Sequence, residues 1–246
     1  MNHFWTHKDN MPEGHGYGQF TPAHFAWIAL CAILTVFAVI LYRNLAIPDR
    51  IVFRRTIAAT LIIIDIIKLF VMKVTGVNVW DYLPLELCSF AAYFIVCDST
   101  WQGNAIIPQL LLTIFMPAAI MAILFPTTST LPSFNFYSIH QFLFHVLIVM
   151  YVMARFFASE IPLSYLGLWI SVLIIRILAA VMEVVDKKFD KNFMFLRDSY
   201  GNPMLELIYE KSKDNVGYIG GLTIFSIAVM HVFYCIFKLI EILILK

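Results

Sequence analysis

Long apolar runs separated by short polar stretches make up most of the chain. Seven runs have, or nearly have, the ~20 helical residues needed to cross a hydrocarbon core. They lie at about 23–42, 55–74, 83–98, 104–125, 138–157, 162–185 and 217–245, the third being the shortest. This pattern predicts an all-α, polytopic membrane protein with about seven transmembrane helices.

The start of the chain breaks the apolar pattern. Residues 1–21 form a polar N-terminal segment without the features of a cleavable signal peptide. The segment could be an ordered cap or a flexible tail, and the sequence leaves both open. Residues 22–246 predict a single seven-helix transmembrane domain, with a longer outer loop at 186–216.

The composition agrees with a membrane location. Hydrophobic residues make up 61% of the 246 positions and charged residues only 13%, against about 25% charged in soluble proteins. So few charges could not cover the surface of a water-soluble domain of this size. We expect a multi-pass protein of the cell membrane. The net charge of +1 gives no electrostatic basis for binding nucleic acid.

Basic residues in the connections predict the orientation, because Lys and Arg concentrate in cytoplasmic loops. Four arginines follow the first apolar run: Arg43, Arg50, Arg54 and Arg55. The connection at 126–137 has no charged residue. We therefore expect the N-terminus outside and the C-terminus in the cytoplasm.

Several ionisable side chains lie inside the apolar runs, where each costs ~2.5–3.5 kcal/mol on insertion scales and tends to face the bundle interior. Asp65 and Lys68 are three residues apart, so they share a helix face and can pair. Arg176 has no acid on a neighbouring turn, and its expected partner is Asp65 or Glu86 from another helix. A structural salt bridge and a contact with a lipid phosphate are both open for Arg176.

The depth of the reactive groups favours one of the four cysteines. Cys31, Cys97 and Cys235 lie at other levels, whereas Cys88 is expected roughly 8 Å below the outer end of the third run. Pro84 suits the first turn of that helix. No cysteine pairing in an outer loop, and no metal-ligand spacing, is evident. We therefore expect no disulfide framework, no metal and no cofactor.

Three histidines accompany Cys88 on the outer side. His145 is expected roughly 10 Å below the outer end of the fifth run, with His140 nearer the surface and His24 at the outer end of the first. A lone membrane cysteine is usually a small apolar filler, and a lone histidine usually a helix-to-helix hydrogen bond. Cysteine and histidine at matched depth strengthen the catalytic interpretation without excluding the structural one.

Four motifs carry a resemblance to a known family. They are Leu83-Pro84-Leu85…Cys88, Leu124-Phe125-Pro126…Thr128, Phe142…His145 and the segment from Asn192 to Leu196. Together they resemble the YwaF-like bacterial integral membrane proteins and their eukaryotic relative, a seven-span, cysteine-dependent ether-phospholipid acyltransferase.

The resemblance implies that Cys88 accepts an acyl chain and that His145 is its base, with His140 as the alternative. Residues expected to contact the substrate are Lys68, Arg176, Gln141, His24 and Glu86. The expected function is movement of an acyl chain between glycerolipids through a cysteine thioester. Membrane phospholipids are therefore the expected partners, and protein partners are unknown. Two alternatives are a transporter of small molecules or lipids, which would depend on Asp65, Lys68 and Arg176 rather than on the thiol, and a non-enzymatic membrane partner or sensor.

Overall fold

The structure, a computed structural model, describes residues 3–101, 103–199, 202–212 and 214–245, and the regular elements in these ranges are all helical. The helices are α1 (Pro22–Asn44), α2 (Ile47–Val74), α3 (Leu87–Thr100), α4 (Ile106–Leu124), α5 (Phe136–Phe157), α6 (Tyr165–Phe189), α7 (Pro203–Lys211) and α8 (Asn215–Leu245).

All of these helices except the short α7 correspond to the seven apolar runs. Five of them, α1, α4, α5, α6 and α8, are long and apolar enough to cross a membrane. The long α2 carries Asp65, Lys68 and Lys73 in its apolar part. The 14 residues of α3 extend only ~21 Å, less than the ~30 Å hydrocarbon core. The chain is therefore a helical membrane protein with five candidate spans.

The polar N-terminal segment is an ordered cap. The backbone N–H of Tyr17 donates to the carbonyl of Leu131 at 2.9 Å, and the Asn135 side chain donates to the carbonyl of His3 at 2.7 Å. A Cβ on Gly16 would lie 2.5 Å from the carbonyl oxygen of Ser129, so only glycine allows this approach. We call residues 3–21 and the connections 75–86, 125–135 and 190–199 the N-terminal end of the bundle.

The opposite end holds the arginines that follow α1. Arg50 forms an ion pair with Glu160 at 3.0 Å, and Lys238 of α8 donates to the carbonyl of Leu163 at 3.3 Å. We call this the arginine end; it comprises the C-terminal ends of α1, α3, α5 and α8 and the start of α2.

The fourth helix contains a π-helical turn at Leu111–Phe115, all of whose residues are buried. Pro117, two residues after this turn, has no N–H to donate to a carbonyl of the turn, which explains the local widening. This turn contacts α3 and α8, so it lies at the centre of the bundle.

Two predicted boundaries are wrong. α3 begins at Leu87 with Glu86 as its N-cap, not at Leu83, and Pro84 precedes the helix. Proline disfavours a helical conformation in the residue before it, and Leu85 N–H instead closes a three-residue turn to the carbonyl of Leu83 at 2.7 Å. At the other boundary, α6 continues to Phe189, beyond the end of the predicted apolar run at 185.

Candidate functional site

Cys88 is the second residue of α3 and lies in its first turn. The N–H groups of that turn have no acceptor within the helix, and the Glu86 side chain makes no capping hydrogen bond to them. The N-terminus of a helix favours negative charge and lowers the energy of a thiolate. The later start of α3 therefore gives Cys88 an environment that the sequence did not predict.

The base proposed for Cys88 has a defined tautomer. His145 is buried on α5, and its Nδ1 lies 2.6 Å from the carbonyl oxygen of Gln141. A carbonyl only accepts, so Nδ1 carries the hydrogen and Nε2 carries the lone pair. Within the described ranges no hydrogen bond occupies His145 Nε2. This nitrogen can accept a proton.

Lys68 is the charged residue that connects several of the predicted site residues. It forms an ion pair with Asp65 at 2.5 Å, which confirms the pairing predicted from their spacing. Its ammonium group acts electrostatically on four of the predicted residues, namely Glu86, Cys88, His140 and His145. We call these four residues, with Lys68 and Asp65, the thiol cluster.

His140 has unused hydrogen-bonding capacity inside the thiol cluster. Its Nε2 lies 3.9 Å from Asp65 Oδ1, beyond hydrogen-bonding distance. This nitrogen is buried with no hydrogen-bond partner in the described part of the chain. The ring stacks on Phe144 at 5.5 Å between centroids, which holds it in place. A buried nitrogen of this kind can bind a polar group of a ligand.

Glu86 joins the start of α3 to a distant loop. Its Oε2 accepts the N–H of Met194 at 2.9 Å, so this oxygen holds the loop, and contact of Glu86 with a substrate stays a prediction. Met194 and Phe195 both have positive φ, 57° and 59°, a conformation that costs energy in non-glycine residues. The Glu86 bond helps to maintain it.

The loop that Glu86 holds, residues 192–196, covers the start of α3. Phe193 and Leu196 are buried in a cluster that also includes Leu83, Leu85 and Phe90. We call residues 192–196 the covering segment. The resemblance had singled out these residues, but hydropathy gave no sign that they contact α3, because the contact joins residues about a hundred positions apart.

Two residues predicted to contact the substrate make hydrogen bonds within the protein. His24 Nδ1 accepts the N–H of Phe20 at 2.9 Å, and its Nε2 bonds to the carbonyl of Ile123 at 2.9 Å. With both nitrogens occupied, His24 joins α1 to α4. The Gln141 side chain donates to the carbonyl of Ala122 at 3.2 Å, so only its backbone carbonyl orients His145.

The partner predicted for Arg176 is wrong. Its Nη1 donates to the hydroxyl of Thr223 on α8, and no carboxylate pairs with Arg176 in the described ranges. Asp65 is paired with Lys68, and Glu86 accepts a hydrogen bond from the covering segment. Arg176 is thus bonded to α8 rather than to either predicted acid, and its contact with a lipid phosphate stays a prediction.

A second polar cluster, not predicted from the sequence, joins the same two helices at the arginine end. The hydroxyl of Tyr151 donates to Asp98 Oδ2 at 2.5 Å, and Arg155 forms an ion pair with the same carboxylate. Arg155 Nε also bonds to Glu160 at 3.3 Å. We call Asp98, Tyr151, Arg155 and Glu160 the arginine network.

The arginine network is distinct from the thiol cluster. Asp98 lies ten residues after Cys88, and Arg155 ten after His145, which is ~15 Å along each helix. The sequence feature that could have indicated this network is the four-residue spacing of Tyr151 and Arg155, which puts them on one helix face. Asp98 was overlooked because it marks the end of an apolar run.

Comparison with known proteins assigns the family. The TMEM164 family matches residues 19–236, a range that contains every residue of the thiol cluster and of the arginine network. The chain belongs to the TMEM164 family. No curated protein and no solved structure matches it. TMEM164 membership agrees with a multi-pass membrane protein. All four cysteines of this TMEM164 chain are free thiols, and no group of side chains in the described ranges could hold a metal ion.

Proposed function

We propose that this TMEM164-family protein is a membrane-embedded lipid acyltransferase or transacylase with Cys88 as its nucleophile. One observation carries the proposal: Cys88 lies in the first turn of α3, and α5, which contacts α3, carries a histidine whose Nε2 makes no hydrogen bond in the described ranges. The resemblance to YwaF-like proteins and to the ether-phospholipid acyltransferase supports the same residues.

The first half-reaction forms a thioester. His145 Nε2 takes the proton from the Cys88 thiol, and the thiolate attacks the ester carbonyl carbon of a glycerolipid. The N–H groups of the first turn of α3 are suited to stabilise the oxyanion that develops. The tetrahedral intermediate then expels the glycerol oxygen, which receives the proton from His145. The products are an acyl-cysteine and a lyso-lipid.

The second half-reaction returns the free thiol. A hydroxyl of another lipid, or water, gives its proton to His145 and attacks the thioester carbonyl. The sulfur leaves as thiolate and is reprotonated by the imidazolium. Lys68 is placed to attract the phosphate of the bound lipid, because an ammonium group binds phosphate as a point charge.

We propose that the seven helices of the apolar runs, including the short α3, all lie across the membrane, with the N-terminal end outside. The thiol cluster then opens outward, and the acyl donor is a membrane phospholipid rather than cytosolic acyl-CoA. Single cysteines at Asn10 and Ser133, introduced into a chain without other accessible thiols, should react with impermeant reagents added outside; one at Pro48 should not. Outside labelling of position 48 alone would invert the orientation.

Intact-protein mass spectrometry tests the proposed chemistry. After incubation of the full chain with phosphatidylcholine vesicles, we expect a mass increase of one acyl chain that hydroxylamine removes. Cys88→Ser should abolish the adduct, whereas Cys97→Ser, on the exposed part of the same helix, should keep it. An adduct that persists in Cys88→Ser would refute the assignment. Lipid movement that needs Asp65 and Lys68 but not the thiol would favour the transporter.

A further inference from the structure

A cavity of about 400 Å³ lies at the arginine end. Its charged lining consists of Arg50, Arg54, Arg155, Asp98 and Glu160, and Trp101 also borders it. Trp101 is exposed, so the cavity is accessible from that end of the bundle. The acyl-transfer proposal makes no use of it, since Cys88 lies ~15 Å away along α3.

The two acids in the cavity are already neutralised by protein groups. Asp98 Oδ2 accepts from Tyr151 and pairs with Arg155. Glu160 Oε1 pairs with Arg50 at 3.0 Å, and its Oε2 accepts from the hydroxyl of Tyr42 at 2.7 Å. Neither carboxylate therefore needs a further cation.

In two of the three arginines, every guanidinium nitrogen already donates a hydrogen bond. Arg155 donates to Asp98, to the Glu160 carboxylate and to the Glu160 carbonyl. Arg50 donates to Glu160 and to the carbonyls of Leu45 and Arg43. Their guanidinium groups are held by the protein itself.

Arg54 differs from both. It makes no hydrogen bond or ion pair within the described ranges, and its Nε is buried without a partner. A buried donor without an acceptor is destabilising, and a guanidinium presents five donors. With three arginines against two acids, the charged lining carries one net positive charge. One positive charge of the lining is therefore balanced by neither of the two carboxylates that border the cavity.

We propose that this cavity binds a phosphate group through Arg54, carried either by a phospholipid headgroup or by a soluble phosphate compound. The planar guanidinium matches two phosphate oxygens at once, and the volume is in the range of small-ligand sites. Arg50 and Arg155 fix the walls and add to the positive potential. This site is independent of the thiol chemistry.

Two binding assays on the full chain in uncharged detergent distinguish a phospholipid headgroup from a soluble phosphate compound. Equilibrium dialysis with labelled inorganic phosphate measures the soluble form. Native mass spectrometry with phosphatidic acid, and with diacylglycerol as its phosphate-free control, measures the headgroup. In whichever assay the wild type binds, Arg54→Gln should lower the affinity about tenfold, the effect of losing one charged hydrogen-bonding pair. Binding of phosphatidic acid but not of phosphate assigns the headgroup; the reverse assigns a soluble compound.

Arg55→Gln is the matched control, because Arg55 is the next residue along α2 and is exposed. Its affinity should stay within about twofold of the wild type, well below the tenfold loss at Arg54. Should Arg54→Gln not fold, Arg54→Lys keeps the charge but loses the paired geometry, and a severalfold loss is expected. Absence of binding by the wild type in both assays, or equal affinity of the wild type and the folded Arg54 variant, would overturn the proposal.

Discussion

Helices α3 and α5 bear two polar clusters at opposite ends, and the clusters differ in how completely they are satisfied. In the arginine network, Tyr151 and Arg155 donate hydrogen bonds to Asp98, and Arg155 also donates to Glu160. In the thiol cluster, His140 Nε2 has no partner and His145 Nε2 carries no hydrogen bond within the described ranges. Polar groups are costly in lipid, so a satisfied cluster is explained by the fold alone. The fold alone does not explain an unsatisfied one, and there the proposed function puts the substrate.

The largest expected effect comes from removing the base of the thiol cluster. Glutamine at position 145 keeps approximately the size of histidine but cannot accept a proton. We expect His145→Gln to lower the rate of acyl transfer by ~10²–10⁴-fold, measured by lipid mass spectrometry, with little change in melting temperature.

His231→Gln is the control for that variant. His231 Nδ1 lies 2.8 Å from the carbonyl of Ile227 on α8, so it makes the same local bond as His145 without belonging to the thiol cluster. Its acyl-transfer rate should remain near the wild-type value. Equal losses in the two variants would mean that both act through helix structure.

Breaking the arginine network should act on stability rather than on chemistry. In Asp98→Asn the buried Arg155 loses its main countercharge, and we expect the free energy of unfolding to fall by ~3–5 kcal/mol. Glu183→Gln, which breaks the more exposed pair with Lys187, should cost less than ~1 kcal/mol. Denaturation in detergent measures both. A loss in Asp98→Asn as small as in Glu183→Gln would show that the network contributes little.

Breaking the pair of Asp65 and Lys68 should lower the free energy of unfolding by an amount between these two cases. Their side chains retain 11% and 17% exposure, so Asp65→Asn should lower the free energy of unfolding by ~3 kcal/mol, the lower end of the range for buried pairs. Changing Lys68→Met as well should recover part of that loss, because it removes the unpaired charge. If the double variant is no more stable than either single one, the two charges do not stabilise each other.

The smallest expected effect lies outside the membrane, at His7. Burial lowers the pKa of His7 below its usual 6.5, and its ring contacts Tyr82 and Tyr137. Its contribution to stability is therefore complete above pH ~6.5 and is lost as the pH falls toward the lower folded-state pKa. The melting temperature of the wild type should fall as the pH is lowered through this range. In His7→Phe the melting temperature should fall less as the pH is lowered. If the melting temperatures of the variant and the wild type fall in parallel, the decline is due to other groups.

Local features of the sequence predicted much of the helical architecture. Apolar runs located seven helices, and three-residue spacing identified the pair of Asp65 and Lys68. Both signals depend on neighbours in the chain. The start of α3 was misplaced because Pro84 is as compatible with a turn before a helix as with its first residue. The shift moved Cys88 to the helix terminus.

Contacts between distant residues were beyond the reach of local patterns. Nothing near Glu86 indicated that Met194 would bind its carboxylate, and nothing near Arg176 pointed to Thr223. Asp98 and Arg155 stand at the ends of two separate apolar runs, where charged residues are common, so neither suggested a buried pair. Their partners follow only from the packing of α3 against α5.

The shortness of α3 has a consequence for the lipid that reaches Cys88. A helix of ~21 Å anchored at the arginine end stops ~9 Å short of the opposite boundary of a ~30 Å core. Under the proposed reaction, a glycerolipid must descend by about that distance and shed water from its polar end before its ester meets the sulfur. Strongly hydrated headgroups resist this descent more than weakly hydrated ones. The enzyme would then select its donor by the cost of headgroup dehydration as well as by the fit of the acyl chain.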